Sequence, residues 1–225
     1  MKGKKQKIWI GLSFLFSIPI LMWITWLLWP KTKLVVAIVD KTVLPTGGQE
    51  HISLTWLLNH ERYTKTSTKP YRISEDYFGF FPLGGEKYRL KGLERFSSEQ
   101  LVKLSTDADM VYFTDTYGIF HNEWSRRQEN TERSGLVYGG MSRQDIELLR
   151  LMKSKEKLIE SEFNAIASPT SQPVRLEFEE MFKLRWTGWT ARYFESPDTA
   201  SNKELPRWLI NNYKRDNQNR WPFSK

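Results

Sequence analysis

The hydrophobic pattern opens with one long uncharged run, residues 8–29, IWIGLSFLFSIPILMWITWLLW. As a helix rising 1.5 Å per residue it would reach about 33 Å, enough to cross the hydrocarbon core of a bilayer. Trp9 lies at one edge and Trp26 and Trp29 at the other, where indole rings favour the membrane–water interface. Pro19 falls inside the run, and membrane helices tolerate such a kink. A cleaved signal peptide would have a shorter apolar core followed by small residues. This run ends in Leu-Leu-Trp-Pro-Lys, so an uncleaved signal anchor is expected. The run has no polar face, which argues against a helix of a soluble core.

Beyond residue 31 the pattern shortens and alternates. LVVAIVD (34–40) is a continuous β-branched run and reads as a strand buried on both faces. EHISLTWLLNHERY follows a Pro/Gly loop. Thr46 and Gln49 have capping-box spacing, and Ile52, Thr55, Trp56 and Asn59 share one helical stripe. Residues 64–95 read as a long connector, with YRI and YFGFF as short strands and a Gly84-Gly85 turn. Ser97 and Gln100 again have capping-box spacing. DMVYFTDTYG (109–118) is the second strand, HNEWSRRQENTERSG a charged loop or short surface helix, and GLVYGG (135–140) the third strand. Ser142 and Asp145 open a helix with Ile146, Leu149 and Met152 on one stripe. KLIESEF is the fourth strand, and PVRLEFEEMFKL the next helix, with Pro173 in its first turn and Val174, Phe178, Met181 and Phe182 on its apolar face. Strands alternating with helices predict an α/β domain, a Rossmann-like or flavodoxin-like parallel sheet flanked by helices.

In such sheets ligands bind beyond the carboxyl ends of the strands, and polar residues recur there. Asp40 ends the first strand; Asp115, Thr116 and Tyr117 the second; Gly139 and Gly140 the third. Glu162, Asn164, Ser168 and Thr170 follow the fourth. Asp115 and Glu162 are the candidate catalytic pair, the others candidate ligand-binding residues. Each also has a structural reading, since Asp, Ser and Thr after strands often cap the next helix. Ser142 and Ser171 are read as caps. A carboxylate within an apolar strand needs a partner, and Arg175 or Arg192 could serve Glu162.

Composition then narrows the classes. The net charge is +8, and Lys2, Lys4, Lys5 and Lys7 supply half of it. These precede the apolar run, while Lys31 and Lys33 follow it. The positive-inside bias makes 1–7 a basic cytoplasmic tail and places 31–225 outside the cell membrane. The rest is a mixed-sign surface with no basic helix, so nucleic acid is not an expected partner. There is no Cys, which removes disulfides, thiolate metal sites and a Cys nucleophile. His51, His60 and His121 match no metal-ligand spacing, and no cofactor is called for. RWTGWTARYF, Trp208 and Trp221 could stack on sugars or fill a seam. The ending RWPFSK leaves two readings: Trp221 and Phe223 dock back onto the domain, or the chain is a truncated member of a longer family.

The segments DMVYFTDTYG, GLVYGGMSRQDIELL and LIESEFNAIASPT together resemble uncharacterised bacterial membrane-anchored proteins. Their soluble part is similar to the class I glutamine amidotransferase-like fold, which also hosts trehalose-utilisation-type proteins. The resemblance implies that fold over about 34–195. It does not imply glutamine hydrolysis, because the nucleophilic Cys is missing. Ser142, in Gly139-Gly140-Met141-Ser142, has neither a G-x-S-x-G frame nor an evident His partner.

Three functions stay open. One is an extracytoplasmic domain binding a polar ligand, such as an envelope glycan, or a membrane-protein partner. A second is a membrane-anchored hydrolase using Asp115 and Glu162, whose environments would have to push their pKa values apart. The third is an interaction module without chemistry.

Overall fold

A computed structural model describes residues 2–47, 49–124, 135–188 and 207–216. The charged stretch 125–134, most of RWTGWTARYF, Arg192, Trp221 and Phe223 lie outside the described residues, as does the side chain of Trp208.

The elements are α1 (Lys2–Leu28), β1 (Thr32–Lys33), β2 (Val36–Asp40), α2 (Ile52–His60), β3 (Tyr63–Thr64), β4 (Phe78–Gly84), β5 (Lys87–Lys91), α3 (Ser98–Asp107), β6 (Met110–Phe113), β7 (Ile119–Phe120), α4 (His121–Trp124), β8 (Leu136–Tyr138), α5 (Arg143–Ser154), β9 (Leu158–Ser161), α6 (Gln172–Phe182) and α7 (Arg207–Asp216). Short 3-10 turns occupy Leu93–Arg95 and Phe163–Ala165. Met1–Leu184 form one compact unit, and Arg185–Lys225, with α7, another. In α7 Ile210 is buried.

The helix α1 takes in the apolar run up to Leu28 and is not interrupted at Pro19. Its described side chains are Trp9 and those of 13–28. Among the described residues no helix is long and apolar enough to cross a membrane.

The first unit is α/β, with a mostly parallel five-stranded sheet ordered β5-β4-β2-β6-β9. The strands β4, β2, β6 and β9 run parallel, and β5 is antiparallel to β4. Alternation along the strands sorts the core onto two faces. Ala37, Val39, Val111 and Phe113 pack with Leu101, Ile146, Leu149 and Phe178 from α3, α5 and α6. Val36, Ile38, Met110 and Tyr112 pack with Leu58 of α2 and with Tyr71, Tyr77 and Phe81. The order of connection reverses between β2 and β6, because the chain leaves β2 for β4 on one side and returns to β6 on the other.

Several local expectations hold. Ser97 and Gln100 form a reciprocal capping box on α3, and Ser142 and Asp145 one on α5. Pro173 sits in the first turn of α6.

Others are corrected. GLVYGG does not join the parallel sheet: β8 pairs antiparallel with β7 in a separate ribbon. In the five-stranded sheet the third parallel strand in chain order is β6, and the second is β4, inside the supposed connector. YRI forms no strand. On α2 the buried residues are Thr55 and Leu58, while Ile52 and Trp56 are exposed. That helix starts after His51 without a side-chain cap, and Gln49 instead donates to the Thr46 carbonyl. Ser171 makes no side-chain cap. KLIESEF is not buried on both faces. As β9 it is an edge strand in which Ile159 packs on the core, whereas Leu158 is 61% exposed and Glu160 is exposed. Glu160 and Glu162 both reach water, so neither needs a buried cation.

Candidate functional site

Because successive side chains of a strand point to opposite faces, Asp40 and the following Lys41 leave β2 in opposite directions. Both are buried. Asp40 turns to the α2 face and accepts from the Thr42 amide (3.2 Å) and the Glu50 amide (3.0 Å). It also faces His51 Nδ1 at 2.8 Å, and His51 Nε2 lies 3.0 Å from the Ile73 carbonyl. Both ring nitrogens are thus engaged with acceptors, which leaves neither as a base for a ligand. Tyr77 packs against His51. Burial, and then the Asp40 charge, raise its phenol well above the ordinary range.

Lys41 turns to the α5 face. Its Nζ donates to Asp145 Oδ2 (2.6 Å) and to the Gly140 carbonyl (3.0 Å), with Glu94 Oε2 at 3.8 Å. The Tyr138 hydroxyl donates to Glu94 (3.2 Å). Burial first, and the Glu94 carboxylate second, raise that phenol far above its usual value.

The remaining predicted residues fall into two tiers. In the inner tier, the Thr116 hydroxyl donates to the Ala165 carbonyl (2.8 Å), and Thr170 Oγ1 accepts from the Met141 amide (2.9 Å). The Gly140 amide donates to the Thr116 carbonyl (2.7 Å), so it is not free for a phosphate. Gly139 has φ +151°, and a Cβ there would lie 2.6 Å from the Gly118 Cα. Two backbones cross at that point, which explains this glycine better than a generic turn. These residues, with Asp40, hold the loops together.

The outer tier is accessible. Asp115 accepts from the Tyr117 amide (2.6 Å) and from Asn164 Nδ2 (3.3 Å). Glu162 is exposed and accepts from the Tyr112 hydroxyl. Tyr117 and Ser168 are exposed, the Tyr117 ring packing on Phe120. Glu50 joins this tier: its carboxyl is raised above the ordinary value, first by burial and then by Asp40, Asp115 and Glu162. The structure therefore brings Asp115 and Asn164 into contact and sets Glu162 and Glu50 within the same negative field. Glu162 also lines an apolar cavity of about 320 Å³ with Ile159, Ile166, Phe178 and Phe182. Ser142 is engaged as the α5 cap and accepts from the Asp145 amide. Among the described residues no group of three His, Asp or Glu side chains is arranged to hold a metal ion.

Lys41, Glu50, His51 and Glu94 were not singled out as site residues by sequence reasoning. One signal was present. An Asp-Lys pair directly after a fully apolar strand sends two charges into opposite faces, and each needs a partner.

Glu50 supports a pH prediction. A carboxyl whose folded-state pKa lies above its unfolded value costs stability once pH rises past the unfolded range. Glu50→Gln should therefore raise the unfolding temperature near neutral pH, and the gain should vanish below roughly pH 4. As Glu50 is exposed overall and its carboxyl only partly desolvated, screening holds the gain under about 1 kcal/mol. Thermal unfolding of both chains across pH checks this; a gain that persists at acid pH would contradict it.

No protein-family model, curated protein or solved structure matches the chain.

Proposed function

We propose that this chain is a single-pass membrane protein whose extracytoplasmic domain, 31–225, binds a polar ligand rich in hydrogen-bond donors. An envelope glycan is the class such a domain would meet. One observation carries the reading: Glu50, Asp115, Glu162 and Asn164 share an accessible acidic rim. That rim lies at the carboxyl ends of β2, β6 and β9, next to the point where strand order reverses, the usual crevice of open α/β sheets. The buried cation Lys41 is turned to the other face and held by Asp145. The rim thus offers acceptors and calls for hydroxyl or amine donors.

The parallel strands run second-first-third-fourth by chain order, the order of flavodoxin-like sheets, and we assign the domain to that architecture. The likeness to the class I glutamine amidotransferase-like group stays with the three quoted segments. It carries no glutaminase chemistry, since Cys is absent. Anchoring by 8–29 is supported by the absence of charge in that run and by its helical course up to Leu28. The cytoplasmic start is supported by the lysines before it.

Two measurements test this. Single cysteines at Ser67 and Gly3, in a chain with no other Cys, should respectively react and fail to react with an impermeant thiol reagent in intact cells. The opposite labelling would reverse the topology. In calorimetric titration with amino-sugar oligosaccharides, Asp115→Asn and Glu162→Gln should each weaken binding by about tenfold or more without lowering the unfolding temperature, as lost charge-assisted hydrogen bonds do. Unchanged affinity in both variants would remove the rim as the site.

A second reading has one observation behind it. The Glu50 carboxyl, raised first by burial and then by the charges of Asp40, Asp115 and Glu162, is what a general acid requires. In that hydrolase, Glu50→Gln would abolish turnover of the same oligosaccharides and leave their binding intact.

A further inference from the structure

We propose that the groove between α1 and the end of α2 seats one phospholipid, its phosphate against Arg62 and an acyl chain along Met22 and Ile18. The proposal rests on the reading of α1 as a bilayer anchor. The groove measures about 450 Å³, and its walls include Ile18, Leu21, Met22, Trp26 and Trp29 of the apolar run and Arg62 just after α2.

Its two ends differ in chemistry. Trp26 Nε1 donates to the His60 carbonyl at 2.8 Å, which ties the end of α2 to α1. The Arg62 guanidinium lies 5.0 Å from the Trp26 ring. Its Nε is buried and has no hydrogen-bond partner. A buried N–H without an acceptor is costly, and a guanidinium fork matches the paired oxygens of a phosphate as it does those of a carboxylate. From Trp26 to Ile18 the helix rises about 12 Å. The wall therefore runs from the indole level, where headgroups lie, into hydrocarbon depth. Free phosphate would answer Arg62 and leave the apolar wall uncovered; a phospholipid answers both. Glu61 also borders the groove. Its carboxylate disfavours a dianion, so a singly charged phosphodiester fits better than a phosphomonoester.

The test uses the full chain purified in mild detergent, with phosphatidylglycerol added and retained lipid counted by native mass spectrometry. The wild-type chain should keep one lipid. Arg62→Ala and Met22→Trp, which remove the charge and fill the groove, should each lower retention about tenfold. Arg62→Lys replaces Arg62→Ala if the latter does not fold, and should show a smaller loss in the same direction. Inorganic phosphate in excess should not displace the lipid. Equal retention in all chains overturns the proposal, as does displacement by phosphate with no effect of Met22→Trp, which would mark a free-phosphate site. Alkaline carbonate extraction of membranes separates the two readings. Release of the wild-type chain overturns the anchor, and the lipid groove with it. A chain that stays in the membrane with retention unchanged in the variants overturns the groove alone.

Discussion

Replacing Lys41 by Met should destabilise the domain by about 3–5 kcal/mol, the cost of leaving a buried charge uncompensated. Lys41 is 2% exposed and Asp145 fully buried, with Nζ 2.6 Å from Oδ2. Asp145 Oδ1 has no hydrogen-bond partner, and neither has Glu94 Oε1. Without the ammonium, the Asp145 carboxylate stays buried with its charge unanswered and Glu94 nearby. The loss also reaches the Gly140 carbonyl, which accepts from the same Nζ. The double change Lys41→Met with Asp145→Asn should recover much of the loss, because the amide oxygen can still accept from the Ser142 N–H while the charge is gone. Urea unfolding of the four chains in detergent gives the cycle. A single-variant loss under about 1 kcal/mol, the range of exposed pairs, would contradict the burial of this ion pair.

Gly79→Ala should cost roughly 3 kcal/mol or more, since backbone strain and overpacking each contribute about 1–3 kcal/mol. Gly79 has φ +153°, and a Cβ there would lie 1.7 Å from the Asp40 carbonyl oxygen. The two residues are register partners in the β2–β4 pairing. No side chain can give way, because the contact is with backbone. Relief requires β4 to move off β2 where Asp40 holds the Glu50 amide and His51. The substitution should therefore weaken rim binding as well as stability. Gly47→Ala is the control: a Cβ there meets nothing within 4 Å, and its effect should stay within about 0.5 kcal/mol. Comparable losses at both positions would show that close approach at Gly79 is not the cause.

The sequence alone determined what depends on near neighbours. The apolar strands β2 and β6 are recognisable because a fully buried parallel strand needs no polar alternation. The boxes Ser97–Gln100 and Ser142–Asp145, and Pro173 in the first turn of α6, were legible because capping is settled within four residues. The rim was legible in part for a related reason: residues that end parallel strands share one edge of the sheet, so Asp115, Glu162 and Asn164 could be grouped from chain position.

Tertiary structure decided the rest. Leu136–Tyr138 looks like any short strand, and only its pairing with Ile119–Phe120 takes it out of the main sheet. Leu158–Ser161 lies at the edge of the five-stranded sheet, with β6 on one side, so its charge meets water. Asp40 and His51 are brought together by the loop between β2 and α2, and Lys41 and Asp145 by 104 residues of chain separation. Sequence neighbours show only where a charge stands, whereas its cost is set by the dielectric and partners that the whole fold supplies. For that reason the sequence pointed to one rim of the sheet, and the packed structure alone separated the residues buried in its loops from those left accessible.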